Sequence, residues 1–406
     1  MPRAVVVPIL AMLAVLTLAS MASFTVSVLA PEAAPAMGLE PARVGTYVAL
    51  MYLLAMLSGA ATGTLAVRWG PIRVCQATML CAAGAMVTLS LATPGWGLVS
   101  AVLLGCAYGP FNPASAKVLT GLADARWQPF VFSVKQCGVP LGGALAGIVV
   151  PLLAERHGWR VGALAVAAAA LLVAVVVTPL RARFDAARTP ARFSVRGSIV
   201  RPVVIALRGR LLRRYTLAAF GLAGCQITVG AFTVVYLTSA VGLELVAAGT
   251  VFAAVQVGGV AGRLTWGAVA ERLLPSRVVL AGLATVTAVG LWAMTRVTPA
   301  WPMPALLGLG FALGSTGFGW NGVMLSQVVT LSPRGAIPET TGGMQFVMFG
   351  AALVVPAGVG AAIRATGNYH GAFLAVAGVA LASAVVVLST ARIAATSESR
   401  GTDAGG

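Results

Sequence analysis

The sequence predicts an all-α membrane protein of twelve transmembrane helices, arranged as two parallel six-helix repeats. Three observations carry that expectation. Of 406 residues, 59% are hydrophobic and only 9% charged. The apolar residues gather into twelve stretches of helix-spanning length, and the second half of the chain repeats the first at a nearly constant offset.

The composition excludes an ordinary soluble domain. A mean hydropathy of +0.94 leaves too little polar surface to cover a water-facing protein of this length. The formal net charge of +17 raises nucleic acid as a partner. The basic residues, however, sit between apolar runs rather than on one face, which is the membrane pattern. Nucleic acid is therefore not expected, and the lipid bilayer is. Cys75, Cys81, Cys106, Cys137 and Cys225 lie in or beside apolar runs without metal-ligand spacing, and read as reduced and structural.

Crossing a hydrocarbon core of about 30 Å takes roughly 20 apolar residues in a helix. The stretches fall near 5–30, 44–66, 74–92, 97–119, 131–153, 161–180, 216–240, 248–270, 278–295, 303–328, 339–363 and 371–392. The first, preceded by Arg3, has the outline of a signal peptide, but it is long for one and a related segment recurs later.

An even number of spans puts both termini on one side, and the arginines choose it. With the termini cytoplasmic, 19 arginines lie inside and five outside (Arg43, Arg156, Arg160, Arg296 and Arg364). The longest polar interruption, from Arg181 to Tyr215, has ten arginines and a single acid, Asp185. It reads as a cytoplasmic linker between halves at 1–180 and 216–392, with a cytoplasmic tail at 393–406. Its charge either sets topology or draws anionic lipid headgroups.

The repeat is visible residue by residue. Met37-Gly38-Leu39-Glu40 and Val44-Gly45 recur as Val241-Gly242-Leu243-Glu244 and Ala248-Gly249, an offset of 204. The same offset carries Val67 to Val74 onto Glu271 to Val278, and later drifts to about 209, where Asn112 pairs with Asn321 and Gln136 with Gln345. Six spans per repeat make the halves parallel. In transporters built from such halves the substrate lies between them near the midplane.

At this point the chain resembles the major facilitator superfamily over essentially its whole length. The family's signature between helices 2 and 3 appears as Gly63, Arg68, Gly70 and Arg73, with Val67 at the acidic position and Pro71 at the first basic one. The second half keeps the acid and base as Glu271 and Arg272. The resemblance implies a gating role for this loop. In the fifth segment, Gly138, Pro140, Gly142, Gly143 and Gly147 resemble the glycine-rich motif of the superfamily's exporters, although close helix packing alone accounts for them.

All ten acidic residues fall in loops, tails or helix ends, so no carboxylate stands at mid-membrane to carry a proton. Arg263, about four residues past the midpoint of the eighth segment, is the exceptional charge. Its burial costs about 2.5 to 3.5 kcal/mol on insertion scales and calls for a partner or a function. Asn112 and Asn321 lie at a comparable depth and Gln226 near the middle of the seventh segment, with Gln256 and Gln345 as further pocket candidates. One guanidinium among neutral hydrogen-bonding groups makes an anion site.

The run from Gly262 to Gly267 also resembles helix 8 of monocarboxylate and oxalate/formate porters, which implies a carboxylate-binding role for Arg263. The other reading has Arg263 brace the 8–9 loop through Glu271. Lys117 and Lys135 either snorkel to the surface or, in the case of Lys135, line the inner vestibule. His157 and His370 fall in outer loops.

These readings converge on a monomeric secondary transporter in a bacterial inner membrane, without cofactor or metal. It would move a small organic solute by alternating access, a carboxylate by preference. The alternative is an exporter of neutral or amphipathic compounds. An enzyme is not expected, since no nucleophile, metal cluster or paired carboxylate lies at depth.

Overall fold

The computed structural model describes residues 3–120, 128–186, 196–333 and 336–391, and among these all regular structure is helical. The first half contains α1 (Arg3–Ala36), α2 (Val44–Arg68), α3 (Pro71–Ser90), α4 (Pro94–Leu119), α5 (Gln128–Gln136), α6 (Gly138–His157) and α7 (Trp159–Val176). A short α8 (Arg181–Phe184) and the linker helix α9 (Arg196–Arg208) follow. The second half contains α10 (Arg210–Ser239), α11 (Leu245–Arg272), α12 (Ser276–Met294), α13 (Met303–Gly317), α14 (Trp320–Leu331), α15 (Ile337–Thr366) and α16 (Tyr369–Leu388). All five cysteines are free.

Ten stretches among the described residues are long and apolar enough to cross a membrane. The other two expected segments fall on α4, which carries Asn112, Ser115 and Lys117 in its inner half, and on the α13–α14 pair, broken at Phe318–Gly319 into pieces of 15 and 12 residues. The fifth segment is also interrupted, between α5 and α6 at Cys137. Pro140 explains this break. Without an N–H it cannot donate to the carbonyl four residues back, which belongs to Gln136.

Two glycine contacts establish the repeat in three dimensions. A Cβ on Gly105 would lie 2.5 Å from the Met51 carbonyl, joining α4 to α2, and one on Gly314 would lie 1.7 Å from the Val255 carbonyl, joining α13 to α11. The offsets 204 and 209 carry the first pair onto the second. Only glycine lets these backbones approach so closely, which is how helices gain dispersion energy where lipid and side chain are equally apolar.

The halves meet through a second equivalent pair. Gly45 on α2 abuts the Pro356 carbonyl on α15, with 2.1 Å left for a Cβ, and Gly249 on α11 abuts the Gly147 carbonyl on α6, with 2.3 Å left. The same offsets relate Gly45 to Gly249 and Gly147 to Pro356. Both contacts lie at the end that holds the α1–α2 and α10–α11 connections, so the halves are tightly closed there.

At the other end the α2–α3 loop is held from a distance. Asp185, buried just after α8, accepts hydrogen bonds from the backbone N–H of Ile72 at 2.9 Å and of Arg73 at 3.1 Å, the opening turn of α3. Gly70 makes room, with φ +97° and only 2.3 Å between a Cβ and the Asp185 carboxyl carbon. A carboxylate thus reaches the loop whose own acidic position is Val67. In the same loop Arg68 ends α2 and is exposed, and in the second half Glu271 and Arg272 are exposed at the end of α11. Gly63 lies within the last two turns of α2.

Candidate functional site

Just inside the closed end, both halves line a small cavity. Its wall takes Ser23, Phe24 and Ser27 from α1, Val48, Met51 and Tyr52 from α2, Tyr108 from α4 and Val139 from α6. The second half contributes Gln226, Ile227, Gly230 and Ala231 from α10, together with Phe318 at the α13–α14 break. Tyr52 and Tyr108 meet edge to face at 5.9 Å, and Phe349 of α15 lies 5.7 Å from Tyr52. The lining is therefore aromatic and neutral, with hydroxyl and amide groups as its polar points. This composition suits the organic body of a small molecule.

Arg263 reaches this cavity at Phe318. Arg263 is half-buried on α11. Its Nε donates to the Phe318 carbonyl and its Nη1 to the Gln136 carbonyl, both at 3.4 Å. Each acceptor sits at a helix break: Phe318 ends α13, and Gln136 precedes the interruption that Pro140 imposes. Carbonyls freed in this way need partners at membrane depth, and one guanidinium fork reaches both. Both bonds are long, so the fork is held loosely and keeps donor capacity for a ligand. It contacts these carbonyls, not Glu271.

Asn321 and Gln226 join the same point. Asn321 Nδ2 donates to Gln226 Oε1 at 2.9 Å and to the Phe318 carbonyl at 3.1 Å. Three of the six residues expected to bind substrate thus converge on Phe318, and Gln226 extends into the cavity wall. The other three lie elsewhere. Asn112 is exposed on α4 and uses its amide oxygen to accept from Lys135, at 2.8 Å. Gln345 is exposed on α15, two residues past Gly343, which packs against the Pro202 carbonyl of the linker helix. Gln256 is wholly buried between α11 and α6.

The glycine motif of the fifth segment explains that burial. Gly143 faces the Gln256 side chain, which a Cβ there would approach to 2.5 Å, while Gly142 faces the Thr17 carbonyl of α1 at 2.3 Å. Gly138, Pro140 and Gly147 are buried in the same helix. These small residues pack α6 against both α1 and α11.

Lys135 does not snorkel. It is 3% exposed, held by Asn112 and by Ser115 Oγ at 3.3 Å, with its ammonium 5.4 Å from the Phe111 ring. Lys117 does extend outward, and its Nζ donates to the Ala66 carbonyl in the last turn of α2 at 3.1 Å, where a cation complements the helix dipole. Among the described residues neither Lys135 nor Arg263 forms an ion pair. Tyr52 and Tyr108 escaped the sequence reading, although hydroxylated aromatics inside otherwise aliphatic runs were the available signal. The Phe318 carbonyl carried no signal at all.

Comparison with known proteins places this architecture. The sequence pattern described as the Major Facilitator Superfamily matches residues 12–356. The chain is similar in structure to a bacterial homologue of the human lysosomal transporter Spinster, solved inward-facing and occupied. Identity is 15%, coverage 97% of this chain and 98% of that one, and the TM-score 0.73. It is also similar to the peptide transporter POT in complex with sulfate, at 15% identity, 95% and 94% coverage and a TM-score of 0.75. No curated protein matches the sequence.

Proposed function

Since the chain belongs to the major facilitator superfamily, and is thus a multi-pass membrane transporter of small molecules, we propose that its substrate is a small organic anion. The observation that carries this reading is Arg263, a cation at membrane depth with no ion-pair partner among the described residues, whose guanidinium joins the two halves at the Phe318 and Gln136 carbonyls. Arg263 of α11 binds the carbonyl of Gln136, and the buried Lys135 is the residue before it. A guanidinium costs several kcal/mol at membrane depth, and a carboxylate arriving at its remaining donors offsets part of that cost. The organic remainder then occupies the neutral cavity beside Tyr52, Tyr108 and Gln226.

In this reading the halves at 1–180 and 216–392 rock about the cavity, joined by the linker at 181–215. Helix α10 starts inside that stretch, at Arg210. The protein is a monomer in a bacterial inner membrane with both termini cytoplasmic, an orientation that rests on the excess of arginine at the linker end. The tail at 393–406 lies outside the described residues.

Proteoliposome uptake of labelled carboxylates, with and without Arg263→Ala, tests the assignment. Transport should fall at least tenfold in the variant, a loss of about 1.4 kcal/mol or more. Unchanged uptake removes the anion site. The second reading, export of neutral or amphipathic compounds, is favoured by one observation: every residue lining the cavity itself is uncharged. Competition by a neutral amphiphile undiminished in the Arg263 variant would select it.

A further inference from the structure

A second cavity lies outside the transport path. An open groove runs between the linker helix α9, the start of α10, the end of α14 and the residues Pro333 and Ala336 before α15. Its apolar wall includes Ile205, Leu212, Leu331 and Pro333, and its charged rim is Arg208 and Arg210. We propose that this groove binds the headgroup and upper acyl region of an anionic phospholipid.

The groove is firmly built. The Thr216 hydroxyl donates to the Ala206 carbonyl at 3.1 Å, tying α9 to α10, and the Pro202 carbonyl abuts Gly343 of α15, where a Cβ would have 2.0 Å. Arg208 and Arg210 are exposed on either side of Gly209, the N-cap of the 30-residue α10. Glycine offers no side chain to cap the helix, so its positive end lies beside two guanidinia, an arrangement suited to a phosphate. Arg201, seven residues before Arg208, is exposed on the same face of α9.

Among the described residues, no acid lines the wall to neutralise these charges. The acid of this stretch, Asp185, is buried at the start of α3, and the acid of the flanking element, Glu339, sits in the first turn of α15 and does not line the groove. The apolar wall selects a lipid over a free anion. On α9, α10 and α15, Val204, Leu217 and Ile337 are exposed, 47%, 51% and 43% respectively, and add apolar surface to these elements. A phosphodiester at the rim leaves its acyl chains against that surface, whereas inorganic phosphate would leave it in water.

The test uses the full-length protein in a zwitterionic detergent. Its unfolding midpoint is measured against added phosphatidylglycerol, phosphatidylcholine and inorganic phosphate, for wild type, Arg208→Gln/Arg210→Gln and Arg296→Gln at the opposite end. Phosphatidylglycerol should raise the wild-type midpoint while the other two do not. The double variant should need roughly 30-fold more of it, from about a factor of five per arginine, and Arg296→Gln should respond as wild type. Equal stabilisation by phosphatidylcholine or by inorganic phosphate overturns the proposal. So does an unaltered response in the double variant, or an equal loss in Arg296→Gln.

Discussion

Arg263 and Gln136 join the two halves of the protein: the guanidinium on α11 donates to the Gln136 backbone carbonyl, 127 residues away in sequence, at 3.4 Å. The acceptor is available because Pro140 cannot bond it. A second donor of the same guanidinium holds Phe318 at the other break, also at 3.4 Å. One side chain thus senses both interrupted helices and, at Phe318, the cavity. A substrate carboxylate would compete for its donors with two weak backbone contacts.

Arg263→Lys separates charge from geometry. Lysine keeps the positive charge, but its ammonium is a point donor on a flexible stem and cannot span both carbonyls as a planar fork does. Carboxylate uptake should survive with a KM raised about tenfold, while Arg263→Ala removes it. Concentration-dependent uptake in proteoliposomes gives both numbers. A lysine variant indistinguishable from alanine would mean that the fork, rather than the charge, is what the site requires.

The pair formed by Lys135 and Asn112 invites a double-mutant cycle. Asn112→Ala takes away the 2.8 Å acceptor of a buried ammonium and leaves Ser115 alone to hold it. Stability should drop by about 1–3 kcal/mol. In Lys135→Met the charge is gone, and adding Asn112→Ala to that background should cost much less. Denaturant unfolding of all four proteins measures the coupling. Additive costs would show that the bond does not hold the ammonium.

Asp185 should be worth more than its place in a linker implies. Its two carboxylate oxygens bond the first N–H groups of α3, so Asp185→Ala uncaps that helix at a cost of about 1–2 kcal/mol. Asp185→Asn, with a single acceptor oxygen, should fall between. Gly70→Ala should be at least as damaging, because φ +97° is strained for alanine and its Cβ would press on the same carboxyl. Hydrogen exchange at Ile72 and Arg73 reports the cap directly, and unchanged protection in Asp185→Ala would show that α3 is capped by other means.

Most of the fold was legible because hydropathy and repeat are periodic signals. The offsets that pair Gly45 with Gly249 also predict which glycine contacts correspond in space, and the structure reproduces both pairs. Arg263, Asn321 and Gln226, which converge on Phe318, were legible as a group because polar residues at membrane depth are few. What stayed hidden depended on backbone groups and rotamers. The Gln136 and Phe318 carbonyls become acceptors only through breaks whose position a hydropathy pattern blurs. Lys135 sits near a helix end, where sequence permits an outward or an inward rotamer, and packing against Phe111 turned it inward. Asp185 lies in a basic linker 112 residues from the N–H of Arg73 that it caps, so no local motif linked them.

Gln256 bears on the movement of the halves. Its side chain is wholly buried where α11 meets α6, and neither amide atom has a hydrogen-bond partner among the described residues. One turn toward the closed end, Phe252 packs on Phe24 of α1 with 5.4 Å between centroids, and beyond it Gly249 meets Gly147. An unpaired amide penalises this closed seam by about 1–3 kcal/mol, which favours the opening that alternating access requires. Gln256→Leu should therefore stabilise the closed seam and shift the equilibrium toward it by roughly 5- to 150-fold. Turnover should slow while the unfolding midpoint rises. Gly249→Val should do the reverse, since its Cβ falls 2.3 Å from a backbone oxygen that cannot yield. A cysteine at Ser27, in the cavity wall, reports both through its labelling rate from the closed end. Labelling should slow in Gln256→Leu and quicken in Gly249→Val, and a shift in the same direction for both would remove Gln256 from the gate.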